Sequence, residues 1–431
     1  MKLTKELIID ISKRKNEPVW MKEFRLKSLE KFFELDNPSF GPEIKIDFDS
    51  LTYYKKVGDT STSWDNVDKE IKTTFKELGV IEAEDKFLCG VSNQYESEVI
   101  YHNLKKDVKE TGVIFLSTDE ALKKYPELFK EYFNNLVKYS ENKYTALNGA
   151  LWSGGTFIYI PPNTKLDRPL QSYFRINDSA MGQFERTIII VDENSELSYI
   201  EGCTATQNSE NSLHAGVVEI YVMRNAKCRY STIQNWSEDV YNLVTKRSII
   251  ETNGRMEWID GNLGSKITMK YPSCILKGDY SSASSISIAY AKKNQELDAG
   301  AKMIHLGKNT KSNIISKSIA TSGGAANYRG TVKISNNATN SESLIKCDTI
   351  LLDDLSRSDT FPKNIVLNDS SLLEHEATVS KISEDKLYYL MSKGLSENAA
   401  KEMLIMGFIS DFKKELPLEY AIELNRLLKN L

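Results

Sequence analysis

Residues 224–254 read RNAKCRYSTIQNWSEDVYNLVTKRSIIETNG, and their pattern indicates the fold of the chain. Two runs rich in β-branched and aromatic residues, 228–234 and 244–251, lie between polar turns centred on Asn225 and Asn253. Such runs, bounded by turn residues, predict β-strands. The two asparagines are 253 − 225 = 28 residues apart. The stretch therefore predicts one structural repeat built from short strands and tight turns.

The same spacing recurs further along the chain. Similar turns are centred on Asn309 and Asn337, with steps of 309 − 253 = 56 and 337 − 309 = 28, and position 281 in the turn-like GDYSS segment fills the missing step. A β-solenoid stacks equivalent residues of successive coils at a constant period. A β-sandwich gives no reason for such a period. The spacing therefore favours a solenoid over a sandwich or a barrel.

The solenoid is predicted to occupy residues 148–380, because strand-like runs follow one another there without helices between them. Further runs lie at 187–191, 196–200, 216–222, 285–289, 313–318 and 331–334. Residues 1–147 are predicted to form a helical and mixed α/β region, with helices at 3–35, 64–80 and 119–133. The fold class is thus expected to be mainly β with flanking helices.

Residues 381–431 are predicted to form a C-terminal helical domain. Helices are expected at 384–393, 397–413 and 417–429. Ser396 suits an N-cap, while Gly394 and Gly407 suit positions just after a helix end. The last helix has a wide apolar surface. It could close the open end of the solenoid, or it could dock a partner.

Composition and short motifs exclude several classes of function. Lys and Arg total 56 against 60 Asp and Glu, so the net charge of −4 does not favour nucleic-acid binding. The five cysteines contain no C-x-x-C pair, which suits a reducing compartment. We find no signal or transit peptide and no apolar run of about 20 residues. The G-x-x-x-x-G-K-[ST] and G-x-S-x-G motifs are also missing.

The strongest chemical signal lies near the end of the strand-rich block. Cys347 and His375 are 375 − 347 = 28 residues apart, so they are expected to lie on stacked coils, and Glu374 and Glu376 flank the histidine. Thiolate, imidazole and carboxylate are ligands of zinc or iron–sulfur sites. Strand alternation places His375 and Glu376 on opposite faces. Both could ligate one metal only with a bulge or corner, and otherwise only one of them is a ligand.

A second candidate centre lies around Cys203, at a probable corner after a strand. His214 follows eleven residues later. A reactive thiol near an imidazole is one interpretation, and a small buried residue is the commoner one. Gln234 and Trp236 share a strand face with Cys228. Taken alone, these two residues are predicted to face outward, because unpaired polar groups inside a solenoid are costly.

Long segments of the chain are similar to the SufB branch of the SufB and SufD family, the scaffold subunits of the SUF iron–sulfur cluster assembly machinery. The matching segments are KNEPVWM at 15–21, QYESE at 94–98, ALNGALWSGG at 146–155, LQSYFRIN at 170–177, MGQFERT at 181–187, YIEGC at 199–203, KYPSC at 270–274, KMIHLGKNTKS at 302–312, YRG at 328–330 and LEHEAT at 373–378. One departure is visible: the family usually continues Gly-Cys-(Ser/Thr)-Ala-Pro, and this chain has Thr206 in place of the proline.

The resemblance implies a right-handed parallel β-helix and a scaffold without catalytic turnover of its own. Such a scaffold accepts sulfur from a cysteine desulfurase system (SufS with SufE or SufU) and assembles a transient iron–sulfur cluster for transfer to apo-proteins. Its C-terminal helices bind the ABC-type ATPase SufC, and its scaffold partner is SufD or a second copy of itself. Neither nucleic acid nor a membrane is an implied partner. A reduced flavin accompanies some family complexes, and the expected location is the bacterial or archaeal cytoplasm or, if plastid-encoded, that organelle.

The resemblance also assigns residues. Cys203 corresponds to the sulfur acceptor, and Cys347, Glu376 and His375 correspond to the site of the nascent cluster. The residues implied to line a sulfur path through the β-helix are Arg175, Asn177, Gln234, Trp236 and Lys246. This implication favours an inward orientation for Gln234 and Trp236. Two alternatives remain: a SufD-like structural partner without its own cluster, and a carbohydrate-active β-helix enzyme using Glu374 or Glu376 as acid or base.

Overall fold

Short strands separated by tight turns wind into stacked coils in the computed structural model, which describes residues 2–206 and 211–415. The strands are β1 (Gly90–Tyr95), β2 (Glu98–Leu104), β3 (Ile114–Ser117), β4 (Thr156–Ile160), β5 (Leu170–Ile176), β6 (Gly182–Gln183), β7 (Arg186–Val191), β8 (Glu196–Ala205), β9 (Leu213–His214), β10 (Val217–Val222), β11 (Lys227–Trp236), β12 (Tyr241–Ile250), β13 (Arg255–Gly264), β14 (Ile267–Lys270), β15 (Ser273–Leu276), β16 (Ser282–Ala291), β17 (Glu296–His305), β18 (Lys311–Ala320), β19 (Ala325–Ile334), β20 (Glu342–Leu351), β21 (Thr360–Val366) and β22 (Leu372–Lys381).

Two sheets form the walls of the solenoid, which has about 8 turns. One sheet, called here the front sheet, has the order β2-β1-β5-β8-β11-β13-β16-β18-β20-β22, and from β1 onward its strands pair in parallel. The other sheet runs from β21 back to β3 through the intervening strands of each coil. Every strand of one coil thus pairs with the equivalent strand of the next. The predicted parallel β-solenoid with flanking helices is confirmed.

Helices flank the solenoid at both ends of the sequence. They are α1 (Lys5–Arg14), α2 (Val19–Glu34), α3 (Lys69–Glu77), α4 (Val80–Lys86), α5 (Lys106–Glu110), α6 (Thr118–Lys124), α7 (Pro126–Tyr132), α8 (Lys143–Leu151), α9 (Glu384–Ser392), α10 (Glu397–Phe408) and α11 (Ser410–Glu415), with a short 3₁₀ helix at Trp64–Asn66. The predicted helix over 3–35 is therefore two helices separated by a turn. Within the described ranges, no helix is long and apolar enough to span a membrane.

The C-terminal helices α10 and α11 pack on the outer face of the front sheet. Ile405, Ile409 and Phe412 contact the apolar side chains that β11, β13, β16 and β18 direct outward, including Ile233 and Ile259. Ser396 caps α10, as predicted, by accepting a hydrogen bond from the Ala399 amide. Gly407, however, lies inside α10 instead of following it. The helix predicted at 417–429 lies outside the described residues.

Left-handed turn residues mark the coils. Asn194, Asn225, Asn253 and Asn309 have positive φ angles, as does Tyr280 next to the predicted position 281. Asparagine adopts this conformation more readily than most residues because its short polar side chain bonds locally. The turn predicted at Asn337 is present between β19 and β20. The left-handed residue of this connection is Asn340, with φ 56°, and it follows Asn309 by 340 − 309 = 31 residues instead of 28.

The asparagine side chains also form a ladder between coils. Asn225 Nδ2 donates to Asn194 Oδ1 at 2.9 Å, and Asn253 Nδ2 donates to Asn225 Oδ1 at 3.1 Å. Asn194 in turn donates to Asn163 at 3.0 Å. Asn194 and Asn225 therefore each donate to one neighbouring coil and accept from the other. This is the ladder that stacked identical residues allow, and it helps to fix the register of neighbouring coils.

We expect Asn225→Ala to lower the free energy of unfolding by about 1–2 kcal/mol, because alanine pays the full cost of the left-handed conformation. Asn225→Gly is the matched control, since glycine keeps the backbone conformation and removes only the amide. Urea denaturation of both variants separates the two contributions. An equal loss of unfolding free energy in the two variants would mean that the asparagine ladder, and not the backbone conformation, sets the stability of this turn.

Candidate functional site

The interior of the solenoid contains a polar region around Cys203. This residue lies inside strand β8 and is fully buried, so the prediction of a corner after a strand is wrong. The parallel register pairs Cys203 with Gln234 on β11 and with Phe174 on β5. Gln234 Nε2 lies 3.9 Å from the Cys203 sulfur. Gln234 and Trp236 are both buried, so the outward orientation first predicted for them is also wrong.

Hydrogen bonds hold Gln234 in place beside the thiol. Asn242 Nδ2 donates to Gln234 Oε1 at 2.8 Å, and the Lys270 ammonium donates to the same oxygen at 3.2 Å. His214 Nδ1 lies 2.8 Å from Asn242 Oδ1, and its Nε2 lies 2.7 Å from Glu185 Oε1. The His214 imidazole, near Cys203 in sequence, thus contacts Asn242 and Glu185. These polar groups are tolerated in the buried interior because each of them has a hydrogen-bond partner.

Two buried ion pairs lie in the same interior. Lys246 Nζ is 3.1 Å from Glu201 Oε1, and Lys270 Nζ is 3.0 Å from Asp260 Oδ1. The Tyr230 hydroxyl donates a further hydrogen bond to Glu201. Burial alone would raise the pKa of Glu201, but the Lys246 ammonium and the Tyr230 hydroxyl together hold that pKa below its ordinary value. Glu201 is therefore a carboxylate at neutral pH, compensated by Lys246.

The Cys203 thiol is protonated at neutral pH. Burial raises its pKa well above the ordinary value, and the negative charges of Glu201 and Glu185 raise it further, against the smaller effects of Lys246 and Lys270. The thiolate is the nucleophilic form of cysteine. A reaction at Cys203 therefore requires that its proton be removed as the reaction proceeds.

A continuous column of polar residues links the coil of Cys203 to the coil of Cys347. In the front sheet the parallel register stacks Glu201, Thr232, Asp260, Ser287, Ser316 and Cys347 in that order. All six are buried, and Ser287 Oγ donates to Ser316 Oγ at 3.2 Å. With strands spaced about 4.8 Å apart, five steps cover about 24 Å. We call this set of residues the polar column.

Cys347 ends the polar column in a mostly enclosed position, with its side chain facing the interior. The thiol lies beside Tyr328. Burial raises the pKa of the thiol to about 12, because its effect exceeds the opposing effect of the Tyr328 hydroxyl, and Asp348 adds a smaller increase. A metal ion that binds Cys347 must therefore displace a proton, so binding is expected to strengthen as the pH rises.

His375 contacts Cys347, and Glu376 does not. His375 Nε2 lies 3.9 Å from Cys347 Sγ, although the register pairs His375 with Ile345, two residues before Cys347. The β20–β22 pairing has no bulge, so Glu376 faces the opposite side, 3.5 Å from Lys346. The stacked pair predicted from the 28-residue spacing is found, displaced by two residues. Strand alternation selects His375 over Glu376 as the neighbour of Cys347.

The Asn364 side chain contacts the His375 ring, with its Nδ2 3.2 Å from His375 Nδ1. An amide nitrogen only donates, so Nδ1 accepts here and the proton of the neutral imidazole lies on Nε2. A histidine that binds metal through Nε2 instead donates its Nδ1 proton, so metal binding would require the Asn364 amide to present its oxygen to the ring. Cys347 and His375 supply two ligands of types suited to iron. Across residues 2–206 and 211–415 we find no group of three or more His, Cys, Asp or Glu side chains arranged to hold a metal ion. A cluster held here would need further ligands from elsewhere.

Arg175 and Asn177 lie apart from the interior. The register pairs Arg175 with Thr204, and Arg175 Nη1 donates to Thr204 Oγ1 at 2.9 Å. Because Thr204 and Cys203 are adjacent on β8, their side chains point to opposite faces. Asn177 follows the end of β5, and its backbone carbonyl accepts a hydrogen bond from Thr206. The structure thus brings Cys203, Gln234, Trp236 and Lys246 together and places Arg175 on the opposite face.

Sequence reasoning missed several residues of this region. Lys270 and Asp260 form the second interior ion pair, Asn364 contacts His375, and Tyr328 lies against Cys347. A signal for the pair did exist, since Asp260 shares a strand face with Trp258 and Asn262 in a run of otherwise buried residues. No sequence signal linked Asn364 to His375, because their contact depends on the path of the chain between β21 and β22.

Comparisons with known proteins agree with this architecture. The family described as "SUF system FeS cluster assembly, SufBD core domain" matches residues 174–408, and "SufBD protein N-terminal region" matches residues 13–172. The chain is 56% identical over 429 residues to the iron–sulfur cluster assembly protein SufB of Bacillus subtilis, covering 99% of this chain and 92% of that protein. A SufBD family protein of Staphylococcus epidermidis gives the same identity and coverage.

Proposed function

The chain belongs to the SufBD family of SUF-system iron–sulfur cluster assembly proteins, and from this premise we propose that it is a scaffold of the SufB type. In this role it accepts sulfur at Cys203 and assembles a nascent cluster at Cys347. The observation that carries the proposal is the polar column, which runs through the solenoid interior from Glu201, two residues before Cys203, to Cys347. A purely structural subunit has no need for a buried polar column between the coils of these two cysteines.

Sulfur acceptance can be written as a balanced exchange. A carrier persulfide R–S–SH and the Cys203 thiol give Cys203–S–SH and R–SH, with the Cys203 sulfur attacking the outer sulfur of the carrier while the carrier S–S bond breaks. The Cys203 proton leaves with the carrier thiol. Gln234 is placed to donate a hydrogen bond to the sulfur at 3.9 Å, and Lys246 supplies positive charge nearby. Both favour an anionic sulfur in a buried setting.

At the other end of the polar column, the cluster is cargo and not a resident cofactor. Cys347 and His375 hold iron and sulfur during assembly, with the Asn364 amide turned so that its oxygen accepts from His375 Nδ1. Glu376 faces outward beside Lys346, so it contributes only when a partner or a strand movement brings it near. Release to apo-proteins follows. Reduction of the transferred sulfur to sulfide takes two electrons from an external reductant. The comparisons do not support a flavin as that reductant.

The proposed partners follow from the exposed surfaces and from the family. Residues 381–431 are proposed as the docking domain for the ABC-type ATPase SufC, with Tyr388, Tyr389 and Met403 exposed on α9 and α10. The last coil, which ends the front sheet at β22, is proposed to face SufD or a second copy of this chain. The sulfur donor is a cysteine desulfurase system. The named relatives are bacterial, so cluster assembly by this chain is proposed to take place in a bacterial cytoplasm.

A SufD-like structural role is the second candidate, and the presence of both Cys203 and Cys347 counts against it. A carbohydrate-active enzyme would need paired carboxylates flanking a bound sugar. Glu374 and Glu376 share a face of the terminal strand, but Glu376 is exposed and lies beside Lys346. The chain therefore acts as an assembly scaffold whose energy source is the partner ATPase.

Anaerobic reconstitution with iron and sulfide tests whether the chain assembles a cluster. It also tests whether His375 or Glu376 is the ligand beside Cys347. We expect the wild type, with SufC present, to form a chromophore with matching iron and sulfide counts. His375→Gln removes a proposed ligand, so we expect it to lower the cluster yield by at least about 10- to 100-fold, the range seen when a metal site loses only a supporting group. Glu376→Gln changes the residue next to His375 that faces the opposite side, and it should lower the cluster yield less. A larger loss in Glu376→Gln would reverse the assignment, and no chromophore in the wild type would argue for the SufD-like role.

A further inference from the structure

A cavity of about 500 Å³ opens at the end of strands β8, β11 and β13, next to the face that carries Cys203. Its lining includes Ala205, Trp236, Ser237, Leu263, Gly264 and Tyr290, with Glu238, Asp239 and Lys292 at the rim. Ala205 lies two residues beyond Cys203 on the same strand, so both side chains point to the same face about 7 Å apart. The cavity therefore lies beside the buried thiol.

Trp236 separates the cavity from Cys203. Its side chain packs in one apolar cluster with Cys203, Phe174 and Val240, and it also lines the cavity. The His214 ring packs against the indole with 4.6 Å between the ring centroids. One side chain thus contacts both the thiol environment and the open space. A change in the Trp236 rotamer would connect the two.

Two hydrogen-bond donors beside the cavity have no partner in the described part of the chain, namely Trp236 Nε1 and Ser237 Oγ. Both atoms are closed off from solvent, so neither faces the open space. The Trp236 ring is therefore held by packing and not by a hydrogen bond. Moving the ring towards the cavity would break no hydrogen bond, and an unpaired buried donor gains from reaching a partner.

We propose that this cavity is the entrance through which a carrier persulfide reaches Cys203, with Trp236 as the gate. The inference rests on the proposed sulfur acceptance and adds its location. The persulfide end of the carrier enters beside Ala205 and Trp236. The exchange then runs as written above, from R–S–SH and Cys203–SH to R–SH and Cys203–S–SH. The exposed acids Glu238 and Asp239 favour a carrier segment with basic residues beside its persulfide.

The chain offers a matched control for blocking this cavity. A second cleft of about 410 Å³ lies at the opposite end of the same three strands and is lined by Ser198, Lys227 and Glu257 among others. Ser237→Phe fills the proposed entrance, whereas Ser198→Phe fills the control cleft. Ala205→Met is a second filling variant, in case the phenylalanine disturbs folding, and circular dichroism checks all three.

Two measurements on the full chain test the proposal. The first follows Cys203 persulfidation by glutathione persulfide, with peptide mass spectrometry. The second follows alkylation of Cys203 by iodoacetamide, which reports access to the thiol without relying on the proposed function, with Cys89 as the internal reference. We expect both rates to fall by at least about tenfold in Ser237→Phe and Ala205→Met, because thiol reactivity depends on access. Both rates should stay unchanged in Ser198→Phe.

The outcomes separate the entrance from the function. Persulfidation that is equally fast in wild type and filling variants would overturn the entrance while sulfur acceptance stands. No persulfidation of the wild type would overturn sulfur acceptance at Cys203, and the alkylation rates would then decide the entrance alone. Slower alkylation only in the filling variants would support it, and equal rates would overturn it. Slowing in Ser198→Phe as well would show that access is not specific to this cavity.

Discussion

Cys347→Ala is expected to abolish the reconstituted iron–sulfur chromophore while the protein remains folded. The thiol is the only cysteine beside His375, and its raised pKa of about 12 means that iron must displace its proton to bind. Cluster yield should fall by more than about 100-fold, beyond the loss expected for a supporting group. The cluster yield is measured by visible absorption and by iron and sulfide counts, under anaerobic conditions and with SufC present.

Cys228→Ala is the matched control for this experiment. Cys228 and Cys347 are both buried in the apolar core of the solenoid, but Cys228 lies on an earlier coil, and His375 contacts Cys347. Its replacement should cost a similar amount of stability and leave the cluster yield unchanged. Equal yields for wild type and Cys347→Ala would move the site elsewhere, with Cys203 or Cys274 as the next candidates. For the wild type, the yield should rise between pH 7 and pH 9, because the bound thiolate forms more easily as protons become scarce.

Lys246→Met is expected to lower the free energy of unfolding by about 3–5 kcal/mol, the usual result of leaving one buried charge without its partner. Glu201 would keep only Tyr230 and Thr232 as partners. Denaturant titration measures the loss at pH 7. The same variant should slow sulfur arrival at Cys347, which a stability loss alone would not do if the assay is run well below the unfolding transition.

The pH dependence of this variant has a definite sign. In the wild type the pKa of Glu201 is held below its ordinary value, so its contribution to stability is present above the unfolded-state pKa and is lost as the pH falls through the folded-state pKa. Without Lys246, burial raises the pKa of Glu201 above the unfolded value. The variant then loses stability as the pH rises. The difference from wild type should be smaller at pH 5 than at pH 8.

The double variant Lys246→Met/Glu201→Leu is the control. Replacing a buried ion pair by apolar residues of similar volume is often neutral for stability. The double variant should therefore recover most of the loss in unfolding free energy. A double variant as unstable as the single one would mean that the cost comes from packing and not from the unpaired Glu201 carboxylate.

Local patterns predicted the architecture because a solenoid repeats one local rule. The runs around residues 228–234 and 244–251 became strands β11 and β12, and the turns predicted at Asn225, Asn253 and Asn337 are present. A constant period does not locate the left-handed residue of every turn. Coils differ in length by a few residues, so this residue is Asn340 in the turn after β19.

Site geometry was less accessible because it depends on register between distant strands. Alternation separated His375 from Glu376, but it could not say which of them meets Cys347. That choice follows from the pairing of Ile345 with His375. Likewise, a buried lysine such as Lys270 looks costly in a strand until the position of Asp260 is known. Family resemblance supplied candidate residues there, and it did not distinguish Arg175 from the interior set.

The pair of Cys347 and His375 spans the last two coils of a linear stack. In such a stack each coil is stabilised only by its neighbours, so opening starts at an end and propagates inward. Strand β22 has just one neighbour in the front sheet and is largely exposed. Its amide protons should therefore exchange with solvent sooner than those of β13 or β16. Fraying of this single coil would part the imidazole from the thiol and leave the rest of the fold intact, so whatever covers the end of the stack also sets how long the two ligands stay together.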